Sequence, residues 1–156
     1  MAIEAKLSKY KRNNRLITIF ILVAVGAWFA YDGYVSEKFQ EKHTTTNEDG
    51  EQVPDSDLVF NRTSPPFFLA GAIVAAIWLF LIKGKKVIAS DTALVTEKLE
   101  IKYDDIEQIN KTNFDSKGFF IITYKNEQGS EQMLRFSDRT YDNLPAVLDA
   151  IVKKIT

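Results

Sequence analysis

The side chains with the greatest potential for chemistry are few, and their spacing does not match a catalytic site. Asp104 and Asp105 are adjacent, so they would face opposite sides of a strand, or contact solvent in a turn, rather than share a proton. Lys83, Gly84 and Lys85 lack the upstream glycine of a phosphate-binding loop, and no nucleophile elbow occurs. We therefore expect a protein without enzyme activity, with no catalytic residues and no cofactor.

Metal-binding side chains are equally sparse. The chain has no cysteine and a single histidine, His43, which excludes disulfides, thiolate sites and histidine clusters. Asp55 and Asp57 flank Ser56 in an acidic segment, but that segment lacks the twelve-residue loop and distal glutamate of a calcium site. The sequence therefore predicts no metal site.

Two apolar runs predict two membrane-spanning helices. Residues 67–82 contain no charged side chain, and prolines precede them where a helix tolerates a missing N–H, so we place this span at 66–82. Residues 16–31 would cover roughly 24 Å at about 1.5 Å per residue, which is short of a hydrocarbon core of roughly 30 Å. We therefore expect the first span to extend outward and to occupy 16–35, with Gly33 loosening its end.

Two alternatives concern the first run. Its basic leader and the small residues at 25–27 are typical of a cleaved signal peptide, but the leader is long and the run exceeds most signal-peptide cores. Asp32 could act as an intramembrane carboxylate, but its place at the edge of the run favours contact with headgroup water. We expect a retained span with Asp32 at its outer border.

Aromatic and small residues mark the borders and faces of both spans. Aromatic side chains are enriched where helices leave the bilayer, and small residues let helix backbones approach closely. The predicted membrane-interface residues are Trp28, Tyr31, Tyr34, Phe67, Phe68 and Trp78. The predicted helix-packing residues are Gly26, Ala30, Gly71 and Ala75, which favour either pairing of the two spans or docking to the helices of a partner.

Basic residues flank both spans on the same side. Cytoplasmic flanks of membrane helices carry an excess of lysine and arginine. The flanking residues here are Arg12, Arg15, Lys83, Lys85 and Lys86. The same bias explains the basic arm at 1–15, so we expect no nucleic-acid binding. Both termini should be cytoplasmic, with the acidic loop 36–65 on the opposite side of the membrane.

The loop 36–65 carries seven acidic and three basic side chains, so we expect it to be solvated. Residues 47–50, Asn-Glu-Asp-Gly, stand between short polar runs and predict a small hairpin with an Asp-Gly turn. Asn61 begins a glycosylation sequon, but it lies so close to the second span that modification is not expected.

Residues 83–156 predict a small cytoplasmic α+β domain made of strands and a closing helix, in addition to the membrane helical hairpin. Short alternating runs, separated by turns at 90–91, 115–118 and 126–129, indicate five or six strands of an antiparallel meander. Apolar residues from Leu144 to Ile155 follow helical spacing. Asn143 can cap this helix, Pro145 fits its first turn, and its last turn is basic.

The motifs of this domain resemble a known family. Residues 101–106, Ile-Lys-Tyr-Asp-Asp-Ile, are followed by a strand, a Lys117-Gly118-aromatic hairpin and the closing amphipathic helix. This arrangement is similar to the bacterial pleckstrin-homology-like (PH-like) domains of small two-pass membrane proteins, over roughly residues 86–155. The resemblance implies a small antiparallel curved sheet or partial barrel, of which a full version has seven strands, and a binding or scaffolding role.

The resemblance does not imply phosphoinositide recognition. Residues 90–92, Ser-Asp-Thr, stand where the basic cluster of the first hairpin loop would lie, and acids outnumber bases after Lys86. The expected partners are the lipid bilayer and another membrane or cytoplasmic protein. Two functions stay open: a free-standing membrane-anchored interaction module, and a small accessory subunit of a larger membrane complex.

Overall fold

The computed structural model of the chain describes residues 2–155, so the predicted boundaries at Met1 and Thr156 lie outside it. It contains helices and antiparallel sheets, which confirms the mixed α+β class, and two of its helices are long and apolar. The chain divides into two units. We call residues 2–13 with 80–155 the sheet unit, and residues 14–79 the helix-pair unit.

The elements in chain order are β1 (Ile3–Lys6), α1 (Lys9–Tyr34), α2 (Glu37–Lys42), β2 (Thr44–Thr46), β3 (Gln52–Pro54), α3 (Ser56–Thr63), α4 (Pro65–Ile82), β4 (Lys86–Ala89), β5 (Ala93–Thr96), β6 (Glu100–Lys102), β7 (Ile106–Asn110), α5 (Phe114–Lys117), β8 (Phe119–Lys125), β9 (Glu131–Ser137) and α6 (Leu144–Ile155). A single 3₁₀ turn, Tyr103–Asp105, separates β6 from β7.

The sheet unit is built on two antiparallel sheets with seven strands in total. The first has the order β1-β4-β5-β6 and the second the order β7-β8-β9. Six of these strands follow Lys85, in agreement with the five or six predicted there. The seventh is β1, which pairs with β4 in the register Ile3 to Ala89 through Lys6 to Lys86.

Residues 3–6, which lie within the predicted basic arm at 1–15, thus form a strand of the first sheet. Ile3 and Ala5 alternate with charged residues, a pattern that suits one strand with a buried face. Ala5 is fully buried opposite Val87. The pattern is too short to identify without its partner strand, which lies about eighty residues further along the chain.

The segment that follows β9 covers the outer edge of β1. The Asp142 N–H donates to the Lys6 carbonyl (2.9 Å), and the Ser8 N–H donates to the Thr140 carbonyl (2.8 Å). Leu7 and Tyr141 form an antiparallel bridge between these bonds. The C-terminal end of the β1 edge is thus paired rather than left open to other chains.

One apolar core holds the two sheets and α6 together. Its fully buried large side chains include Leu94, Ile101, Phe120, Ile122, Leu144 and Ile151. Helix α6 packs against β1 and β4, and Pro145 lies in its first turn as predicted. Asn143, the residue predicted to cap this helix, directly precedes it with φ 63°; its carbonyl accepts from the Val147 N–H (3.4 Å), and its side-chain amide donates to the Glu4 carbonyl (3.2 Å).

The 3₁₀ turn lies where the chain passes from the first sheet to the second. Its Tyr103 ring is buried, and the hydroxyl donates to the Ser90 carbonyl (2.8 Å). Burial, and to a lesser degree the charge of Asp91, raises the pKa of the Tyr103 hydroxyl. This bond links the 3₁₀ turn after β6 to the β4–β5 connection.

We expect Tyr103→Phe to lower the free energy of unfolding of the sheet unit by about 1 kcal/mol, because a buried hydrogen bond is lost while the ring is kept. Tyr124→Phe is the matched control, since Tyr124 is equally buried but its hydroxyl has no hydrogen bond among the described residues. Urea unfolding followed by circular dichroism measures both. Equal losses in the two variants would contradict the role of the hydroxyl.

Helices α1 and α4 are long and apolar enough, by length and composition alone, to cross a membrane. The candidate stretches are Lys9–Tyr34 and Ser56–Ile82, of which the second includes α3 and α4. In each stretch, only 11% of an apolar segment of 18 residues is buried. Helix α4 begins and ends within one residue of the predicted 66–82. Helix α1 reaches Tyr34, one residue before the predicted end of 16–35, but it begins at Lys9, seven residues before the predicted start.

The segment 36–65 is folded rather than a plain solvated loop. Its predicted hairpin is confirmed as β2 and β3, with Gly50 at φ 82° in the turn. Helices α2 and α3, which flank this hairpin, were not predicted. Each begins at a capping side chain: Ser36 accepts from the Phe39 N–H, and Asp55 accepts from the N–H groups of Asp57 and Leu58.

Candidate functional site

Small residues bring α1 and α4 together as an antiparallel pair. A Cβ on Gly26 would lie 3.1 Å from the Cβ of Phe68, and one on Gly71 would lie 3.7 Å from a methyl of Leu22. Later positions in α1 thus meet earlier positions in α4. Ala30 and Ala75, the other two predicted packing residues, are half-buried.

Gly33 makes the tightest of these contacts. It is buried inside α1, and a Cβ there would lie 2.9 Å from both the carbonyl carbon and the carbonyl oxygen of Asn61. The Arg62 side chain donates from Nε to the Gly33 carbonyl (2.9 Å). The prediction that Gly33 loosens the helix end was therefore wrong, because this glycine allows α3 to approach α1. The same contact buries Asn61 of the sequon.

The predicted interface aromatics do not all face outward. Trp28 is 70% exposed and Phe67 is 76% exposed, and Tyr31, Tyr34 and Trp78 are exposed as well. Phe68 instead packs on Phe29, with ring centroids 5.5 Å apart, and is only half-exposed. Five of the six positions therefore offer an aromatic surface to the surroundings, while Phe68 belongs to the helix pair.

Polar groups near the C-terminal end of α1 form local hydrogen bonds. The Trp28 indole donates to Asp32 Oδ2 (2.7 Å), which satisfies the carboxylate that the sequence placed at the border of the span. The Tyr34 hydroxyl donates to the Arg62 carbonyl (2.8 Å). These bonds tie α1 to its own next turn and to α3.

The five predicted basic flank residues have different surroundings. The Arg15 guanidinium lies 4.0 Å from the ring centroid of Trp78, and Lys83 Nζ lies 3.8 Å from that of Phe80. Lys86 belongs to β4, where its Nζ is 3.9 Å from Glu4 Oε1. Arg12 is exposed and Lys85 is half-buried. All five lie near the first turns of α1 or just after the last turn of α4.

The first turn of α1 is fixed to the sheet unit through Ser8, which sequence analysis did not single out. Ser8 is fully buried, its Oγ donates to the Arg139 carbonyl (2.6 Å), and the Lys11 N–H donates to the same Oγ (3.1 Å). The Lys9 N–H donates to Asp142 Oδ2 (2.9 Å). A serine just before a helical run is the available sequence signal for such a cap.

Both long helices therefore continue directly into neighbouring strands. Leu7 and Ser8 alone separate β1 from α1, and residues 83–85 separate α4 from β4. Because β1 and β4 are paired along their length, the two chain connections to the helix pair leave adjacent strands of one sheet. This junction is the feature that links the two units along the chain.

The folded segment between α1 and α4 brings together three groups that could hold a metal ion. His43 Nδ1 lies 2.8 Å from Asp55 Oδ2 and 3.7 Å from Asp57 Oδ2. Hydrogen bonds, first from the Leu58 N–H and next from the His43 ring, hold the pKa of the Asp55 carboxyl below its ordinary value despite the opposing effect of burial. The sequence analysis treated His43 and the aspartates separately and so missed this cluster.

The sheet unit also carries an open groove of about 520 Å³. Its lining mixes two aromatic rings with charges of both signs, which suits a polypeptide partner better than a uniformly charged ligand. The lining residues are Tyr10, Phe114, Asp115, Ser116, Lys117, Gly118, Asp138 and Arg139.

Comparisons of the chain with family models, curated proteins and solved structures found no match.

Proposed function

We propose that this chain is a two-pass protein of a bacterial inner membrane that presents a non-enzymatic PH-like interaction or scaffolding domain at the cytoplasmic surface. The observation that carries this proposal is the junction between β1, β4 and the two long helices. Only residues 7–8 and 83–85 separate the two long helices from paired strands. If the helices cross a bilayer, the domain has no long linker on which to move away from it. Whatever the domain binds, it binds next to the membrane.

The strand arrangement supports a PH-like assignment for the sheet unit. Sheets of four and three strands, packed with a C-terminal amphipathic helix, match what the resemblance implies, with β1 supplying the strand that residues 86–155 lack. The 3₁₀ turn at Tyr103–Asp105 stands at the predicted turn between strands. Under this assignment the connection between β1 and β4 is the helix pair itself.

The surroundings of the β4–β5 turn support a protein ligand over a phosphoinositide headgroup. Ser90 Oγ donates to the Ala93 carbonyl and closes the turn, and Asp91 Oδ1 accepts from Lys154 Nζ (3.2 Å). The residues of the turn, Ser90-Asp91-Thr92, include no base. The mixed groove beside Phe114 and Arg139 is the surface that we assign to a cytoplasmic polypeptide.

An accessory role in a larger membrane complex is the second candidate. It is favoured by an apolar groove of about 450 Å³ in the helix-pair unit, which is lined in part by small residues. Such a groove lets a partner helix approach closely without a hydrophobic driving force. Its apolar lining includes Leu22, Val23, Gly26, Ala27, Ala30 and Leu69.

Single-cysteine labelling tests the membrane topology, and the cysteine-free chain makes it clean. Asp49 in the hairpin turn and Met133 in β9 are both exposed, so Asp49→Cys and Met133→Cys are matched probes. In intact cells, a membrane-impermeant maleimide should label the first and not the second; after permeabilisation it should label both. Labelling of Met133→Cys in intact cells would overturn the proposed orientation.

The size of the extracted protein separates the two functions. A free-standing module should run as a small detergent complex after mild solubilisation, whereas an accessory subunit should co-migrate with a large assembly. Ala27→Leu, which fills the apolar groove, should release the chain from such an assembly and leave a free-standing module unchanged.

A further inference from the structure

We propose that His43, Asp55 and Asp57 form a binding site for one divalent transition-metal ion, with zinc the best fit. This site lies in the folded segment between α1 and α4, and its formation does not depend on the function proposed for the sheet unit. The three side chains offer one imidazole nitrogen and two carboxylate oxygens. This donor set suits zinc and its neighbours in the first transition row.

The spacing of the ligand atoms fits tetrahedral coordination. Zinc bonds nitrogen and oxygen at about 2.0–2.2 Å, so neighbouring ligand atoms in a tetrahedron stand about 3.3 Å apart. The distances from His43 Nδ1 to the two carboxylates, 2.8 Å and 3.7 Å, lie on either side of this value. All three ligand atoms lie within 4.8 Å of one another. Shifts of about half an ångström would complete the geometry.

The ligands are held in place by the local fold. His43 directly precedes β2 and Asp55 directly follows β3, so the hairpin brings together residues that are twelve positions apart. The Asp55 N–H donates to the His43 carbonyl (2.9 Å). The His43 ring stacks on Phe39, with ring centroids 4.2 Å apart. The ligand side chains would therefore need little further ordering when an ion binds.

The two carboxylate oxygens of Asp55 make different contacts. Oδ1 accepts the N–H groups of Asp57 and Leu58 at the first turn of α3, which orients the carboxylate. Oδ2 faces His43 and is the atom that would bind the ion. Partners of this kind around a ligand fix its orientation and raise metal affinity.

The site favours a transition metal over calcium or magnesium. Calcium takes six to eight oxygen ligands and magnesium prefers oxygen donors in a regular octahedron, whereas this site offers three ligands including a nitrogen. Asp57 is exposed, so solvent would fill the fourth position. No second imidazole can join the site, because His43 is the only histidine of the chain.

Zinc titration of the full-length, tag-free protein in detergent tests the proposal. After chelator treatment and removal, we expect one zinc ion per chain to bind with a dissociation constant in the micromolar range, and magnesium not to compete. Asp57→Asn should weaken zinc binding about tenfold or more, because it removes a ligand without touching the helix cap. Asp49→Asn, in the hairpin turn of the same segment, should bind like the wild type.

His43→Gln gives a second, independent readout. X-ray absorption of the zinc-loaded wild type should show one imidazole nitrogen among oxygen neighbours, and this imidazole signature should be lost in His43→Gln. Unchanged tryptophan fluorescence of the variants establishes that they are folded. Zinc binding absent at about 100 µM, equal affinity in Asp57→Asn and Asp49→Asn, or bound zinc without an imidazole ligand would each overturn the proposal.

Discussion

Ala5→Asp is expected to unfold the sheet unit. Ala5 is fully buried in β1, opposite Val87 and inside the apolar core. A carboxylate at this position would be buried without a partner, which costs several kcal/mol. Small domains have total stabilities of about 5–15 kcal/mol, so one such change consumes a large share of the stability available.

Ala2→Asp is the matched control for this prediction. It adds the same charge three residues earlier, at a position that is exposed and outside β1. Limited proteolysis of residues 83–155 in detergent should show rapid cleavage in Ala5→Asp and wild-type resistance in Ala2→Asp. If both variants resisted equally, β1 would not be part of the core, and the sheet unit would end at β4.

Gly33→Ala is expected to lower the stability of the helix-pair unit by about 2 kcal/mol. The added methyl would stand 2.9 Å from the backbone of Asn61, and a backbone cannot rotate away as a side chain can. The helix propensity gained by replacing glycine, about 1 kcal/mol in water, works in the opposite direction. The net loss therefore measures how closely α1 and α3 approach.

Gly71→Ala makes the same substitution where there is room for it. Its new methyl would meet Leu22 at 3.7 Å, which is an ordinary van der Waals contact, so stability should stay equal or rise slightly. Trp28 and Trp78, the two tryptophans of the chain, both lie in this unit, so their fluorescence during SDS titration follows its unfolding. A loss in Gly71→Ala as large as that in Gly33→Ala would contradict the proposed close approach.

The elements with strong local patterns were predictable. Helix α4 has an uninterrupted apolar run opened by prolines, and α6 has a regular apolar stripe, so both were placed within two residues of their observed ends. The hairpin at Gly50 follows from its turn residues alone. In each case the information that specifies the element lies within the element itself.

The elements that depend on distant partners were not predictable. Strand β1 is four residues long, and its identity comes from pairing with β4 after the whole helix pair has intervened. The role of Gly33 depends on its contact with Asn61. The metal-binding cluster forms only because the β2–β3 hairpin brings His43 and Asp55 together. Local composition instead indicated a basic arm, a loosened helix end and an isolated histidine.

The central claim is that the two ends of the helix pair connect to adjacent, paired strands of one sheet. A disulfide between β1 and β4 tests this claim most directly. Glu4 and Ile88 are register partners, so their Cβ atoms should lie about 5 Å apart. The control pairs Glu4→Cys with Val95→Cys, since Val95 is the partner of Ile88 in β5 and so lies one strand further away.

Copper-phenanthroline oxidation of isolated membranes should cross-link Glu4→Cys with Ile88→Cys in high yield, within one chain. The control pair should stay reduced under the same conditions. Failure of the first pair to cross-link, or equal cross-linking of both pairs, would contradict the account, because β1 would then not be fixed beside β4.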